Sequence, residues 1–163
     1  ALSSAASDVY KRQVWDADSM AEQLSQRGNS AIVPVVAALI SFASSTGLQI
    51  SYGRGTKFGV CRALRNGRKV FSVTSWEKGH TGLRTAVEVS LPSLVDQTCG
   101  TFEEGALRSM LLTFPDASPT DAEQFIFGSS QFQYIDLRLL ADPVNLSRFQ
   151  NAIVQIVQAI PEE

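Results

Sequence analysis

Residues 58–75 read FGVCRALRNGRKVFSVTS, and this stretch decides the fold. Its Asn66-Gly67 pair lies between two predicted strands, Phe58 to Leu64 and Lys69 to Ser75. An Asn-Gly pair between strand-forming runs is the strongest short-range signal for a β-hairpin, because both central positions of a type I′ turn adopt positive φ. The sequence therefore predicts a two-residue hairpin here.

The apolar alternation continues on both sides of this hairpin. Residues 48–52 alternate before it, and residues 83–89 alternate after it until Pro92 ends the run. Period-two alternation indicates strands with one buried face, and consecutive strands with short connections favour an antiparallel meander. We expect an α+β fold with a mainly antiparallel sheet of four to five strands and helices packed on one face.

Helical spacing of apolar residues predicts the elements around the sheet. A largely apolar helix should run from Ser30 to the glycine cap Gly47, and a C-terminal helix should follow Asp142. Thr101 with Glu104 matches a capping box for a helix over residues 102–112. The remaining segments are a helix over 16–26, a helical turn over 121–127 and a short last strand over 131–137.

Length and composition fit a single domain. The chain has 163 residues, of which 44% are hydrophobic, enough for one ordinary core. Residues 2–13, LSSAASDVYKRQ, are similar to a translated sequencing-adapter tail found on many environmental-DNA reading frames. We therefore treat residues 1–13 as a non-native tail and expect one domain over residues 14–163.

Cysteine usage and hydropathy indicate the compartment. Cys61 and Cys99 share no CxxC spacing and are too few for a disulfide framework, which favours reduced thiols and a cytoplasmic protein. The longest apolar run, residues 31–43, falls short of the ~20 residues that a membrane helix needs. We expect no membrane association.

The sequence contains no convincing catalytic set. His80 is the single histidine and lies between glycines, so we expect an exposed loop residue, no metal site and no cofactor. A Cys99 nucleophile paired with His80 is a weaker alternative, because acidic residues flank Cys99. The glycine-rich residues 53–59 lack the ending of a P-loop and lead into a strand, which favours a turn over an anion cradle.

The charge distribution is the one feature that points to a function. Residues 51–87 carry eight basic residues and one acidic residue, a net charge of +7, whereas the rest of the chain has six basic and fifteen acidic residues, a net charge of −9. Basic side chains on a β-ribbon can follow a phosphate backbone, and an exposed aromatic can stack on a base. The candidate ligand-binding residues are Arg54, Lys57, Arg62, Arg65, Arg68 and Lys69. A purely structural reading stays open, because strand edges also carry Lys and Arg to prevent edge pairing.

A resemblance covers most of residues 30–160. GLQISYGRG at 47–55, Gly59, FSV at 71–73 and LLADP at 139–143 resemble a family of small bacterial domains without an assigned activity, in which an apolar helix leads into a GL-x-I-x-(W/Y)-G-(R/K)-G strand. These motifs are structural glycines and caps, so the resemblance implies no active-site residues. It implies only a bacterial origin and an association with DNA-processing or defence proteins.

From these observations we expect a non-enzymatic binding domain that holds nucleic acid or another polyanion through its basic hairpin. Two alternatives remain. The hairpin could dock an acidic protein partner, as in an accessory subunit of a bacterial complex, or the chain could be a hydrolase or nuclease with an unrecognised site.

Overall fold

The computed structural model describes residues 15–27, 29–54, 60–77 and 83–163, and the predicted tail at 1–13 lies outside them. In these ranges, two helices precede four consecutive strands, three helices and two further strands follow, and two helices come last. The helices are α1 (Ala17–Gln26), α2 (Val33–Ser45, preceded by a 3-10 turn at Ser30–Ile32), α3 (Leu91–Gln97), α4 (Glu104–Leu112), α5 (Pro119–Phe125), α6 (Leu137–Leu140) and α7 (Pro143–Ala159). The strands are β1 (Gln49–Tyr52), β2 (Cys61–Arg65), β3 (Arg68–Glu77), β4 (Leu83–Val89), β5 (Ile126–Gly128) and β6 (Gln133–Asp136).

All the strands join one antiparallel sheet in the order β1-β2-β3-β4-β6-β5. This confirms the α+β class, but the sheet has six strands where the sequence predicted four to five. The missed strand is β5, which has three residues, too few to show alternation, and follows α5 directly. Residues 121–127, predicted as a helical turn, therefore divide between the end of α5 and the start of β5.

The hairpin that decides the fold is confirmed. Asn66 and Gly67 have φ values of 52° and 72°, and Arg65 pairs with Arg68 across the turn. Positive φ at both central positions is the requirement of a type I′ turn, which Asn and Gly meet at low steric cost. A register shift between Ala63 and Leu64 marks a bulge next to the turn.

Two of the predicted helix ends are confirmed by their caps. The carboxylate of Asp16 accepts from the backbone N–H of Ser19, whose hydroxyl lies 2.9 Å from the backbone nitrogen of Asp16 in a reciprocal capping box. Asp142 accepts from the N–H of Val144 at 2.8 Å, with Pro143 in the first turn of α7. Both caps satisfy backbone donors that a helix leaves without partners.

Two predictions about the ends of elements were wrong, one for a helix and one for a strand. Helix α4 begins at Glu104 after Glu103, which makes no side-chain capping bond, so the capping box from Thr101 does not form. Pro92 ends no strand but lies in the first turn of α3, which Ser90 caps. Proline suits a first turn because its missing N–H would have no partner there, so it signals a helix start as readily as a strand end.

The core lies against one face of the sheet. The buried strand residues of this core are Cys61, Ala63, Val70, Phe71, Val73, Val87, Val89 and Ile135, and the register places them on this inner face except for Val70, which is the unpaired residue of the bulge. Phe71 meets Phe149 of α7 edge to face, with ring centroids 5.6 Å apart. The opposite face, here called the outer face, contributes none of its strand side chains to this core in the part of the chain described.

Candidate functional site

The structure divides the predicted ligand-binding residues between different surfaces. Lys57 lies outside the described residues. Arg54 is exposed just after β1, and Arg62 is exposed in the middle of β2. Strand alternation sends Arg62 to the outer face and Arg65 to the inner side, where its Nη1 lies 3.9 Å from the position of a Cβ on Gly47.

Three of the predicted cations have acidic partners. Arg68 Nη1 lies 2.7 Å from Asp96 Oδ2 at the end of α3, and Arg65 Nη2 lies 3.6 Å from Glu162 Oε1. The third, Lys69, pairs with Glu88 of β4. These contacts, together with a 2.9 Å bond from Asn66 Nδ2 to the carbonyl of Pro161, dock the hairpin tip against α3 and the C-terminal residues.

Arg54 and Arg62 differ from these three. Among residues 15–27, 29–54, 60–77 and 83–163, neither has an acidic group within ion-pair distance. The guanidinium of Arg62 lies beside Gly53, where an added Cβ would sit 3.8 Å from its Nη2 and 3.1 Å from Val60 Cβ. The bare backbone of Gly53 therefore allows the close approach of Val60, with the Arg62 guanidinium next to it.

A continuous row of side chains crosses the outer face through Arg62. Each member is the register partner of the next, in the order Ser51, Arg62, Ser72, Glu88, Tyr134 and Phe127. The sheet order brings β5 and β6 next to β4, so residues more than 60 positions apart in sequence share this surface. The row connects Arg62 on β2 with the rings of Tyr134 on β6 and Phe127 on β5.

The aromatic end is a cluster of three rings that the sequence did not predict as a group. Trp76, Phe127 and Tyr134 have ring centroids 5.3 to 5.7 Å apart; Phe127 and Tyr134 stack at 13°, and Trp76 meets both edge to face. All three side chains are partly exposed and lie outside the main core. The register of β3 puts Trp76 on the face opposite to Phe71, and its ring partners come from β5 and β6, which lie far away in sequence.

Asp136 provides the fixed charge beside this aromatic cluster. Its side chain is 2% exposed and lies between Arg84 Nε at 3.1 Å and Arg138 Nη2 at 2.9 Å. Burial alone would raise the pKa of Asp136, but hydrogen bonds and charge from Arg138, with the charge of Arg84, outweigh burial and hold that pKa below its ordinary value. Asp136 is therefore a carboxylate that fixes two guanidinium groups.

Those guanidinium groups lie against aromatic rings. The Cζ of Arg84 is 3.7 Å from the ring centroid of Phe127, and its Nη2 donates to the carbonyl of Gln124 at 3.0 Å. The Cζ of Arg138 is 4.8 Å from the ring centroid of Phe125, and half of this side chain is exposed. Arginine over an aromatic ring is a cation–π arrangement that also orients the ring.

Lysine and tyrosine groups continue the surface towards β2. Lys69 Nζ lies 5.2 Å from the ring centroid of Phe132 and pairs with Glu88. Burial, together with the charge of Glu88 and a hydrogen bond to it, raises the pKa of the Tyr134 hydroxyl above its ordinary value. The outer face is thus a mixed surface of rings and cations in which the two acids, Glu88 and Asp136, are both paired.

The residues of the catalytic alternatives are His80 and the two cysteines. His80 lies outside the described residues. Cys61 is buried, and burial raises the pKa of its thiol to about 11, whereas Cys99 is exposed with a φ of 51°. No three His, Cys, Asp or Glu side chains come close enough to hold a metal ion in the described ranges, and no helix there is long and apolar enough to span a membrane.

Two depressions lie away from the outer face. A groove of about 600 Å³ between α4 and α7 is lined by Met110, Arg148 and Val144, whose side chain is 58% exposed. A smaller cavity of about 190 Å³ at the hairpin tip is lined by Arg65, Arg68 and residues of α3 and the C-terminal segment. The groove is mainly apolar, and the open hairpin-tip cavity is bordered by Arg65 and Arg68, which both have acidic partners.

Comparisons with known proteins found no matching family model, no matching curated protein and no matching solved structure. The resemblance to a bacterial domain family therefore stays a prediction. The class that the fold defines is an α+β domain with helices on the inner face of a six-stranded antiparallel sheet and an outer face of rings and cations.

Proposed function

We propose that this protein is a non-enzymatic binding domain for a polyanion, with nucleic acid the leading candidate, and that the ligand lies across the outer face of the sheet. The observation that carries the proposal is the exposed guanidinium of Arg62. It lies on the outer face with no acidic partner among the described residues, beside Gly53 and in register with the neutral Ser51 and Ser72.

The sequence favoured the whole basic hairpin, and the ion pairs narrow that hypothesis. Arg65, Arg68 and Lys69 each have an acidic partner, which offsets their charge towards a ligand. The Arg68–Asp96 pair is largely exposed, and exposed pairs contribute about 0 to 1 kcal/mol, so a polyanion can replace Asp96 at modest cost. We therefore expect Arg65, Arg68 and Lys69 to contribute less to the affinity than Arg62.

The positive charge of residues 51–87 supports this function although the chain as a whole is acidic. The protein has a net charge of −2, but residues 51–87 carry +7. A local field of this sign raises the concentration of an anionic ligand at the surface even when the total charge is negative. Among the described residues of this stretch, Arg54 and Arg62 are exposed cations without an acidic partner.

The test is a salt titration of binding to labelled single-stranded DNA, duplex DNA and polyphosphate, with wild type and two matched variants. Arg62→Gln removes a cation of the outer face that has no acidic partner among the described residues, and Arg108→Gln removes an exposed cation of α4 that pairs with Glu104 in its own helix. Each phosphate contact contributes about 0.7 to the slope of log K against log salt for single strands. We expect a slope of about −2 for the wild type, from Arg54, Arg62 and one further cation.

The two variants should show whether binding depends on the outer face or only on the net charge of the protein. Arg62→Gln should weaken binding of single-stranded DNA about threefold to tenfold and reduce the slope by about 0.7, whereas Arg108→Gln should leave both unchanged. Equal losses in the two variants would show that only net charge matters. Loss of binding in Arg65→Glu and Arg68→Glu but not in Arg62→Gln would move the site to the hairpin tip. The absence of binding to all three ligands at low salt would reject a polyanion ligand altogether.

A further inference from the structure

The rings of the outer face are unusual in their position. Trp76, Phe127 and Tyr134 lie on the outer face of the sheet, and none belongs to the main core. Large aromatic side chains gain most free energy when they are fully buried, yet these three stay partly exposed although a large core exists on the other face. A surface cluster of this kind is typical of a binding site.

The cluster is also held in place by charge. Arg84 packs over Phe127, and Asp136 and the carbonyl of Gln124 fix the guanidinium of Arg84. The small residue Ala86, which shares the outer face, is 0% exposed and so is fully covered by its larger neighbours. A fixed set of rings loses little conformational entropy when a planar ligand stacks on it.

Cations flank the cluster on both sides. Arg62 lies three strands away from Tyr134 in the same row, which corresponds to about 14 Å at the ~4.8 Å spacing of strands. On the other side, the half-exposed Arg138 packs over Phe125. Rings with cations around them match the chemistry of a strand whose bases stack while its phosphates contact Arg.

We propose that Trp76 and Tyr134, supported from behind by Phe127, form a stacking platform for unpaired bases, so that the ligand of the outer face is a single-stranded nucleic acid. This inference rests on the proposed function and names its substrate class. A duplex keeps its bases stacked on one another and offers only its backbone to such a surface. Single strands should therefore bind more tightly than duplexes of equal length.

The intrinsic fluorescence of Trp76 tests the stacking directly. The chain has two tryptophans, and Trp15 is 4% exposed in the core, so a ligand on the outer face can reach only Trp76. We expect oligothymidylate to quench the emission of the wild type but not that of Trp76→Phe. Polyphosphate, a polyanion without bases, should bind and leave the emission unchanged.

Affinity provides the second readout. Tyr134→Ala should weaken binding of oligothymidylate about tenfold and binding of polyphosphate little, since stacking on an aromatic contributes about 1 to 3 kcal/mol per base. Tyr134→Phe keeps the ring, serves as the matched control and should retain the affinity. Thermal melts identify any variant that fails to fold, in which case Trp76→Phe and Tyr134→Phe still decide the quenching.

The outcomes separate this inference from the proposed function. Binding of both ligands without quenching and without a preference for single strands would overturn the stacking platform and leave polyanion binding intact. No binding of either ligand at low salt would overturn both. Quenching by oligothymidylate together with a loss of affinity in Tyr134→Ala would support both.

Discussion

At the scale of single residues, Asp136 controls the charge of the outer face. It is 2% exposed and holds Arg84 and Arg138, and its pKa lies below the ordinary value because the bonds and charges of the two arginines outweigh burial. Removing the negative charge would leave the largely buried Arg84 without its carboxylate partner. The geometry of the aromatic cluster should depend on this residue, because Arg84 packs on Phe127.

We predict that Asp136→Asn lowers the free energy of unfolding by about 2 kcal/mol at pH 7, the magnitude typical of hydrogen bonds to charged groups. A carboxyl group with a depressed pKa in the folded state stabilises the fold above the pKa of the unfolded state, about 3.9, and this stabilisation is lost as the pH falls through the folded pKa. The gap between wild type and variant should therefore close on acidification.

Urea denaturation at several pH values between about 7 and 2 measures this gap. Asp116→Asn, at an exposed residue in the loop before α5, is a control that should change the stability little at any pH. A gap between wild type and Asp136→Asn that stays constant down to the lowest pH would contradict the assigned ionisation.

Gly67 of the hairpin turn tests the contribution of backbone conformation to stability separately from that of side-chain packing. A Cβ on Gly67 would meet nothing within 4 Å, and the same holds for Gly105 in α4, but only Gly67 has a positive φ. Gly67→Ala should destabilise the protein by about 1 to 2 kcal/mol. Gly105→Ala should stabilise it by about 0.5 to 1 kcal/mol, because alanine favours a helix. Thermal or urea denaturation of both variants checks the opposite signs, and two changes of the same sign would contradict the turn.

At the scale of elements, two helix caps with similar bonds should have different consequences. Asp142 caps α7, which buries six side chains, whereas Ser118 caps α5, which buries none. Asp142→Ala should lower the global free energy of unfolding by about 1 kcal/mol. Ser118→Ala should instead lower hydrogen-exchange protection within α5 alone, because an element with few buried contacts opens locally. A global loss in Ser118→Ala that equals the loss in Asp142→Ala would contradict this distinction.

The same elements show what the sequence could predict. The Asn66-Gly67 turn and the start of the C-terminal helix after Asp142 were predictable because their signals are local and stereochemical. Strand β5 and helix α3 were missed, since three residues show no period and proline is found at both strand ends and helix starts. Local patterns therefore identified the hairpin but not the complete sheet.

The candidate site shows the same limit more strongly. Charge counting identified the basic stretch, but it could not tell that Glu88, Asp96 and Glu162 neutralise three of its cations. The meeting of Trp76 with Phe127 and Tyr134 depends on the order β4-β6-β5, which no local signal encodes. Tertiary pairing, not composition, decides which of the basic and aromatic residues share a surface.

At the scale of the whole molecule, the fold separates two kinds of surface. The inner face of the sheet and the helices enclose one core, and the outer face carries rings and cations on a scaffold of six paired strands. A site built on strands is held more rigidly than one built on loops. The rigid outer face is therefore suited to bind a ligand with little rearrangement of the backbone.

The most direct test of this account is a map of amide chemical-shift changes as single-stranded DNA is added to the isotope-labelled protein at low salt. We predict that the largest changes fall on the outer-face row, at Arg62, Ser72 and Tyr134, and on the indole N–H of Trp76. The groove between α4 and α7, reported by Met110 and Val144, should stay unchanged. Changes confined to that groove, or to the hairpin tip alone, would contradict binding on the outer face.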